Sequence, residues 1–188
     1  ITATGATAED CDRQAEGVKA AIRERLGDLV YGEEEDELQD VVVRRLRERG
    51  ETLAVIETGL TGGRLTEWLT AVPHAASVFR GGLTLVAPGP TLGRLLRKAE
   101  ELAGTPDARA RARGEAEKAR QYGEATWGLA AVGAPAGAGG TDDGAVALVG
   151  PDRVLSLPYK SFGDPAIDRS RAAKTALDLL RRQLDRAT

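Results

Sequence analysis

At 188 residues, with 41% hydrophobic and 29% charged side chains, the chain has the make-up of a globular protein able to build one substantial core. Its net charge of −3, with acidic and basic residues interleaved, excludes wholesale electrostatic attachment to nucleic acid or an anionic membrane. The single Cys11 permits no internal disulfide and no run approaches the ~18 apolar residues of a membrane span, so no signal peptide and a reducing, cytoplasmic setting are expected.

The opening residues predict a short strand, then a helix whose start is marked by Thr7 and Asp10. Cys11, Ala15, Val18, Ile22 and Leu26 form its apolar stripe, with Cys11 as a core filler and Gly27 as the stop. "DLVYG" (28–32) reads as a second short strand, which makes this first piece a small α+β segment. The acidic run 33–40 suits a helix N-terminus, and a helix over 35–49 should bury Leu38, Val42 and Leu46 and end at Gly50.

An apolar strand at 53–56 then enters a glycine turn, Thr58-Gly59-Leu60-Thr61-Gly62-Gly63, and a helix that stops near Pro73. A strand is expected at 81–86, helices at 91–103 and 106–122, and a buried strand at 126–133 that leads into a second glycine-rich loop, 133–140. Residues 144–159 read as a hairpin turning at "GPDR", and a last helix begins at Pro165 with Ile167, Leu177, Leu180 and Leu184 along one stripe. Alternating strands and helices with a late hairpin predict a three-layer α/β/α sandwich with a mixed central sheet over 35–188, preceded by the small piece at 1–34. With no Met anywhere, the sequence is expected to be part of a longer protein.

A glycine turn between a strand and a helix offers backbone N–H groups to a phosphate or carboxylate. This one is neither a Walker A loop nor a GxGxxG fingerprint, so on its own it reads sooner as a plain tight turn than as an anion site. Both glycine loops follow strands, whose ends can lie together where open α/β sheets take ligands.

The stretch "TLAVIETGLTGGRLTEWLTAVPHAASVFRGG" (52–82) resembles the C-terminal domain of the competence/damage-inducible CinA family, whose active members are nicotinamide mononucleotide deamidases. The family's usual run is Ala-Glu-Ser-Cys/Leu-Thr-Gly-Gly, a helix, a Val-Pro-Gly turn and Phe-x-Gly-Gly. The likeness continues through "GLAAVG" and "GGTDDGAVALV" to "SFGDPAIDRSRAAKTALDLL", and residues 1–50 resemble the end of the KH-like connecting region that precedes this domain in the family. The resemblance implies an α/β fold, a nicotinamide mononucleotide or related ligand, a homo-oligomer, and a protein partner from the competence or DNA-damage machinery. It implies no membrane association, and direct nucleic-acid binding is not expected. No metal and no cofactor is expected.

The departures from the family fall on its chemical positions. Either Thr58 replaces the family serine and Gly59 is inserted, or Gly59 stands at the serine position and the nucleophile is gone. The family's tyrosine and lysine after Phe-x-Gly-Gly have no counterpart in Val86-Ala87-Pro88-Gly89-Pro90-Thr91. Val132 stands for a family threonine and Pro165 for the first arginine of Gly-Asp-Arg, while Arg169 matches the second. Hydroxyl nucleophiles need a base at neutral pH, and the only histidine, His74, reads as an exposed turn residue.

These substitutions point to a catalytically degenerate domain that keeps its fold and acts as a structural, dimerising, partner- or ligand-binding module. The alternative is an active amidase that converts nicotinamide mononucleotide to nicotinic acid mononucleotide and ammonia. On that reading Thr58 or Thr61 is the nucleophile; a third reading is a nucleotide-binding regulator, with a phosphate at Thr61, Gly62 and Gly63 helped by Arg80 or Arg169 as candidate ligands.

Overall fold

The computed structural model describes residues 2–85, 107–133 and 143–186. The expected helix at 91–103, the loop residues 134–140 and the stretch 86–91 lie outside the described residues. The chain divides into two compact units, residues 1–36 and 37–188.

The first unit is built on helix α1 (Ala8–Leu26), whose first turn is capped by Thr7, its Oγ1 accepting from the Asp10 amide at 3.2 Å. A 3₁₀ turn, Gly27–Leu29, follows. Neither expected strand forms: residues 2–6 and 30–32 carry no ladder, because a strand persists only with a hydrogen-bonded neighbour and none is present among the described residues of this unit. The α1 stripe is not core either. No α1 residue is buried, Cys11 is half-buried, and Val18 and Leu26 are about half exposed.

The second unit opens with α2 (Leu38–Arg49), where the Asp40 carboxylate accepts from the Glu37 amide at 3.1 Å and Gly50 closes the helix in the left-handed region. Then follow β1 (Leu53–Thr58), α3 (Arg64–Ala71), a short 3₁₀ turn, β2 (Phe79–Leu85), α4 (Ala108–Tyr122), β3 (Trp127–Gly133), β4 (Gly144–Val149), β5 (Val154–Tyr159) and α5 (Pro165–Arg186). The sheet order is β2-β1-β3-β4-β5: β1 runs parallel to both neighbours, whereas β3, β4 and β5 are antiparallel in turn.

Strand periodicity sends successive β1 side chains to opposite layers. Ala54 and Ile56 pack with Ala119 of α4, and Ala108, Ala112 and Ala116 of the same helix cover Ala130, Val132, Ala145 and Ala147. Alanines on both sides, and Gly128 opposite the Ala116 carbonyl, let the α4 backbone approach the sheet. On the other layer, α5 lies over β3 and β4 and packs on α2 and α3. Ile167 departs from the expected stripe: it is half exposed, and the buried line of α5 runs Asp168, Ala172, Ala176, Leu180 and Leu184, a strict four-residue spacing that begins on a polar side chain.

Candidate functional site

The connection after β1 goes to α3, and the next described helix after β2 is α4, on the opposite layer. In an open sheet, a crevice for ligands lies where neighbouring connections part in this way, at the carboxyl ends of the strands. Glu57 and Thr58, the last two residues of β1, stand there and face opposite layers.

Glu57 is fully buried. Its Oε2 accepts from Thr61 Oγ1 at 2.6 Å and from the Leu65 amide at 3.0 Å. Its Oε1 accepts from the Thr66 amide at 2.9 Å and Thr66 Oγ1 at 2.7 Å. At the start of α3, where the sequence allows an anionic ligand, the Leu65 and Thr66 amides of the first turn go to the chain's own carboxylate. Partial positive charge at a helix N-terminus favours that placement. Thr61, itself fully buried, spends its hydroxyl proton on Glu57.

Thr58 faces the other layer. The residue is 5% exposed, and its hydroxyl donates to Glu115 Oε2 of α4 at 2.7 Å. Burial raises the Glu115 carboxyl above its usual range, opposed by the Thr58 hydrogen bond and by the positive charges of Arg111 and Lys118. Arg111, one turn earlier on α4 and buried, donates from Nη1 to the Gly133 carbonyl at 3.1 Å, which ties the helix to the carboxyl end of β3. Gly59 ends β1 by donating its amide to the Leu85 carbonyl at 2.9 Å and bridging to Val132.

Gly62 and Gly63 both take positive φ, 62° and 93°, so the turn sits in a region that side chains avoid. A Cβ on Gly62 would come within 3.3 Å of Arg169 Nε, which shows how closely the Arg169 side chain lies over the turn. Among the described residues Arg169 has no hydrogen bond or ion pair. Arg80 is elsewhere: it is exposed near the start of β2, about 16 Å from the Gly62 end at ~3.3 Å per strand residue. His74 is exposed beyond the far end of α3. The structure therefore brings Thr58, Thr61, Gly62, Gly63 and Arg169 to one end of β1, leaves Arg80 outside, and adds Glu57 and Glu115.

Asp168 fixes the helix that carries Arg169. Its carboxylate accepts from Ser161 Oγ, from the Phe162 amide at 2.9 Å and from Tyr159 Oη at 3.0 Å. The Ser161 and Phe162 hydrogen bonds hold the Asp168 carboxyl below the usual aspartate value of 3.8, and burial together with Asp168 pushes the Tyr159 hydroxyl up to about 12. A depressed carboxyl contributes stability that is full above its unfolded pKa and is lost as pH falls through the lower folded value. Denaturant midpoints measured from pH 7 down to pH 2.5 should fall steeply below about pH 4 in the wild type. In Asp168→Asn they should start lower and decline less.

Residues 35–184 match the family model of the CinA C-terminal domain. The CinA-like protein of Anaeromyxobacter sp. (strain Fw109-5) is 38% identical over 185 residues, covering 90% of this chain and 43% of that protein. The CinA-like protein of Frankia casuarinae is 36% identical over 194 residues, covering 98% of this chain and 43% of its own length. The chain thus spans less than half the length of these curated relatives. A CinA superfamily protein from Klebsiella pneumoniae 700603 superposes with a TM-score of 0.65 at 22% identity, covering 79% of this chain and 96% of that one. One from Escherichia coli gives 0.62 at 19% identity, covering 84% and 98%. At these identities the structural likeness speaks for the fold.

Proposed function

Since the chain belongs to the CinA C-terminal domain family, we propose that it is a ligand-binding module that takes a pyridine mononucleotide at the carboxyl end of β1 without hydrolysing it. One observation carries this reading: Thr61 and Glu57 are both fully buried and bonded to each other, with the carboxylate also taking the Leu65 and Thr66 amides, so the Thr61 hydroxyl is part of a structural clamp out of a substrate's reach. What remains for a ligand is the Arg169 guanidinium beside Gly62, suited to a phosphate, and the Thr58–Glu115 pair on the other side of the strand end.

A second reading is favoured by the 2.7 Å Thr58–Glu115 hydrogen bond, because a hydroxyl donating to a carboxylate is also how a nucleophile meets its base. The two separate in one experiment, with ammonia release and calorimetric binding measured on nicotinamide mononucleotide for the wild type and Thr58→Ala. Binding with ammonia at the level of the variant is the expected result. Turnover that Thr58→Ala abolishes overturns the binding-module reading and makes Thr58 the nucleophile.

A further inference from the structure

We propose that the chain has a second ligand site, a cleft on the α4 layer of β1 and β2 that takes a small aromatic acid, its ring against Tyr122 and its carboxylate on Arg80. The cleft lies over the amino-terminal part of the two strands. None of the side chains that line it belongs to the site at the carboxyl end of β1, so it stands or falls separately from the reading above.

Helix α4 packs on β1, β3 and β4, and β2 at the edge of the sheet reaches past it. The space left beside the last turns of the helix has a volume of about 360 Å³, at the small end of the range for ligand cavities. Ala54 and Ile56 of β1 and Leu83 of β2 form its apolar floor. Gly81 pairs with Ala54, and a Cβ there would meet no heavy atom within 4 Å, so the floor is open at that point. Tyr122, 60% exposed in the last turn of α4, and the exposed Arg80 stand at the rim.

Arg80 reaches this layer through an irregularity in the strand. Leu53 pairs with Phe79 but Ala54 pairs with Gly81, so Arg80 is the extra residue of a bulge, a device that re-aims a side chain. Strict alternation would send it to the layer opposite Gly81. Instead its Cβ lies by the end of α4, 3.6 Å from where a Cβ on Gly123 would stand. Arg80 is the one charged side chain lining the cleft, and among the described residues it has no hydrogen bond or ion pair.

An apolar floor with a single guanidinium at its rim selects for a ligand of matching polarity. A flat hydrocarbon body gains from the floor and from the Tyr122 ring, whereas a small hydrated anion gains from neither. A carboxylate on that body meets the planar fork of Arg80, which binds it through two parallel N–H groups. The uncharged amide of the same acid keeps the apolar contacts and forfeits the charge, so the pair of compounds separates the two contributions.

The test is calorimetric titration of the wild type, Arg80→Ala and Tyr122→Ala with naphthoate and with its uncharged amide. Both side chains are exposed, so the variants should fold as the wild type does. The wild type should bind naphthoate about fivefold more tightly than the amide, the preference expected of one partly solvated charge-assisted pair. Arg80→Ala should abolish that preference and keep amide binding, and Tyr122→Ala should weaken both ligands about threefold. Added nicotinamide mononucleotide should leave both affinities unchanged. Naphthoate that fails to bind, that keeps its preference in Arg80→Ala, or that competes with the nucleotide overturns the proposal. So does a concentration-dependent dimer in sedimentation that Tyr122→Ala dissociates, which puts a second copy of the chain in the cleft.

Discussion

Glu57→Ala should lose about 4 kcal/mol of stability, enough to leave a domain of ordinary 5–15 kcal/mol stability close to unfolding. The carboxylate is the common acceptor for two hydroxyls and two backbone amides in a site with no solvent access. Truncation strands the Leu65 and Thr66 amides, which cannot turn to another partner, and opens a cavity under the start of α3. Glu57→Gln keeps the volume and separates the two effects. The Thr61 and Thr66 hydroxyls can rotate to accept from the new NH2 group, but one backbone amide must face a donor, so about 2 kcal/mol is the expected loss. Thr61→Val removes one hydroxyl donor and preserves the shape, for a loss of about 1 kcal/mol. Urea unfolding with an unchanged m-value should return the order Ala, Gln, then Thr61→Val. A Glu57→Gln protein as stable as the wild type would show that the carboxylate's charge is not what holds the turn.

Gly128→Ala should cost about 3 kcal/mol or more and should reach the site as well. A Cβ there would lie 1.9 Å from the Ala116 carbonyl oxygen and 2.7 Å from the Arg120 amide nitrogen, both backbone atoms of α4. Helix backbone cannot step aside as a flexible side chain does, so α4 has to lift from β3 along the line where Ala112 and Ala116 meet Ala130 and Val132. The same helix holds Glu115 against Thr58 and Arg111 against Gly133. Thermal unfolding should therefore show a lowered midpoint, and amide-nucleotide binding should weaken even at temperatures where the variant stays folded. A drop in stability with untouched binding would mean that α4 yields at its far end only.

The described elements of the second unit were legible because their patterns are local. The apolar run of β1, the four-residue spacing of α2 and the hairpin with "GPDR" at its turn each state their own period. The expected strands at the N-terminal end failed for the complementary reason: a short apolar run is ambiguous until a neighbour supplies its ladder. The α5 stripe departs from the apolar pattern at its start because Asp168, a polar side chain, takes the inward position and leaves Ile167, one residue away, half exposed. In the site, the turn was visible but its tenant was not. Glu57 precedes Thr61 by four residues and Thr66 by nine, and a carboxylate immediately before a glycine turn and a helix start could have been read as an internal cap. Nothing local marks Glu115, which meets Thr58 only because α4 crosses the end of β1 from a distant part of the chain.

The pairing of α2 with α5 has a consequence for how the domain is made. The apolar side of α2 is closed by the final helix, with Arg45 on Asp185 at 3.2 Å and Arg49 on the Leu184 carbonyl at 3.4 Å tying the two together. Every strand of the sheet is synthesised between them. At a ribosomal rate of ~5–20 residues per second, the greasy side of α2 waits on the order of ten seconds for its cover. The nascent chain is therefore a client for whatever shields apolar helices at the ribosome exit. A chain released before α5 emerges lacks the helix that packs most extensively on α2 and its buried Leu38, Val42 and Leu46.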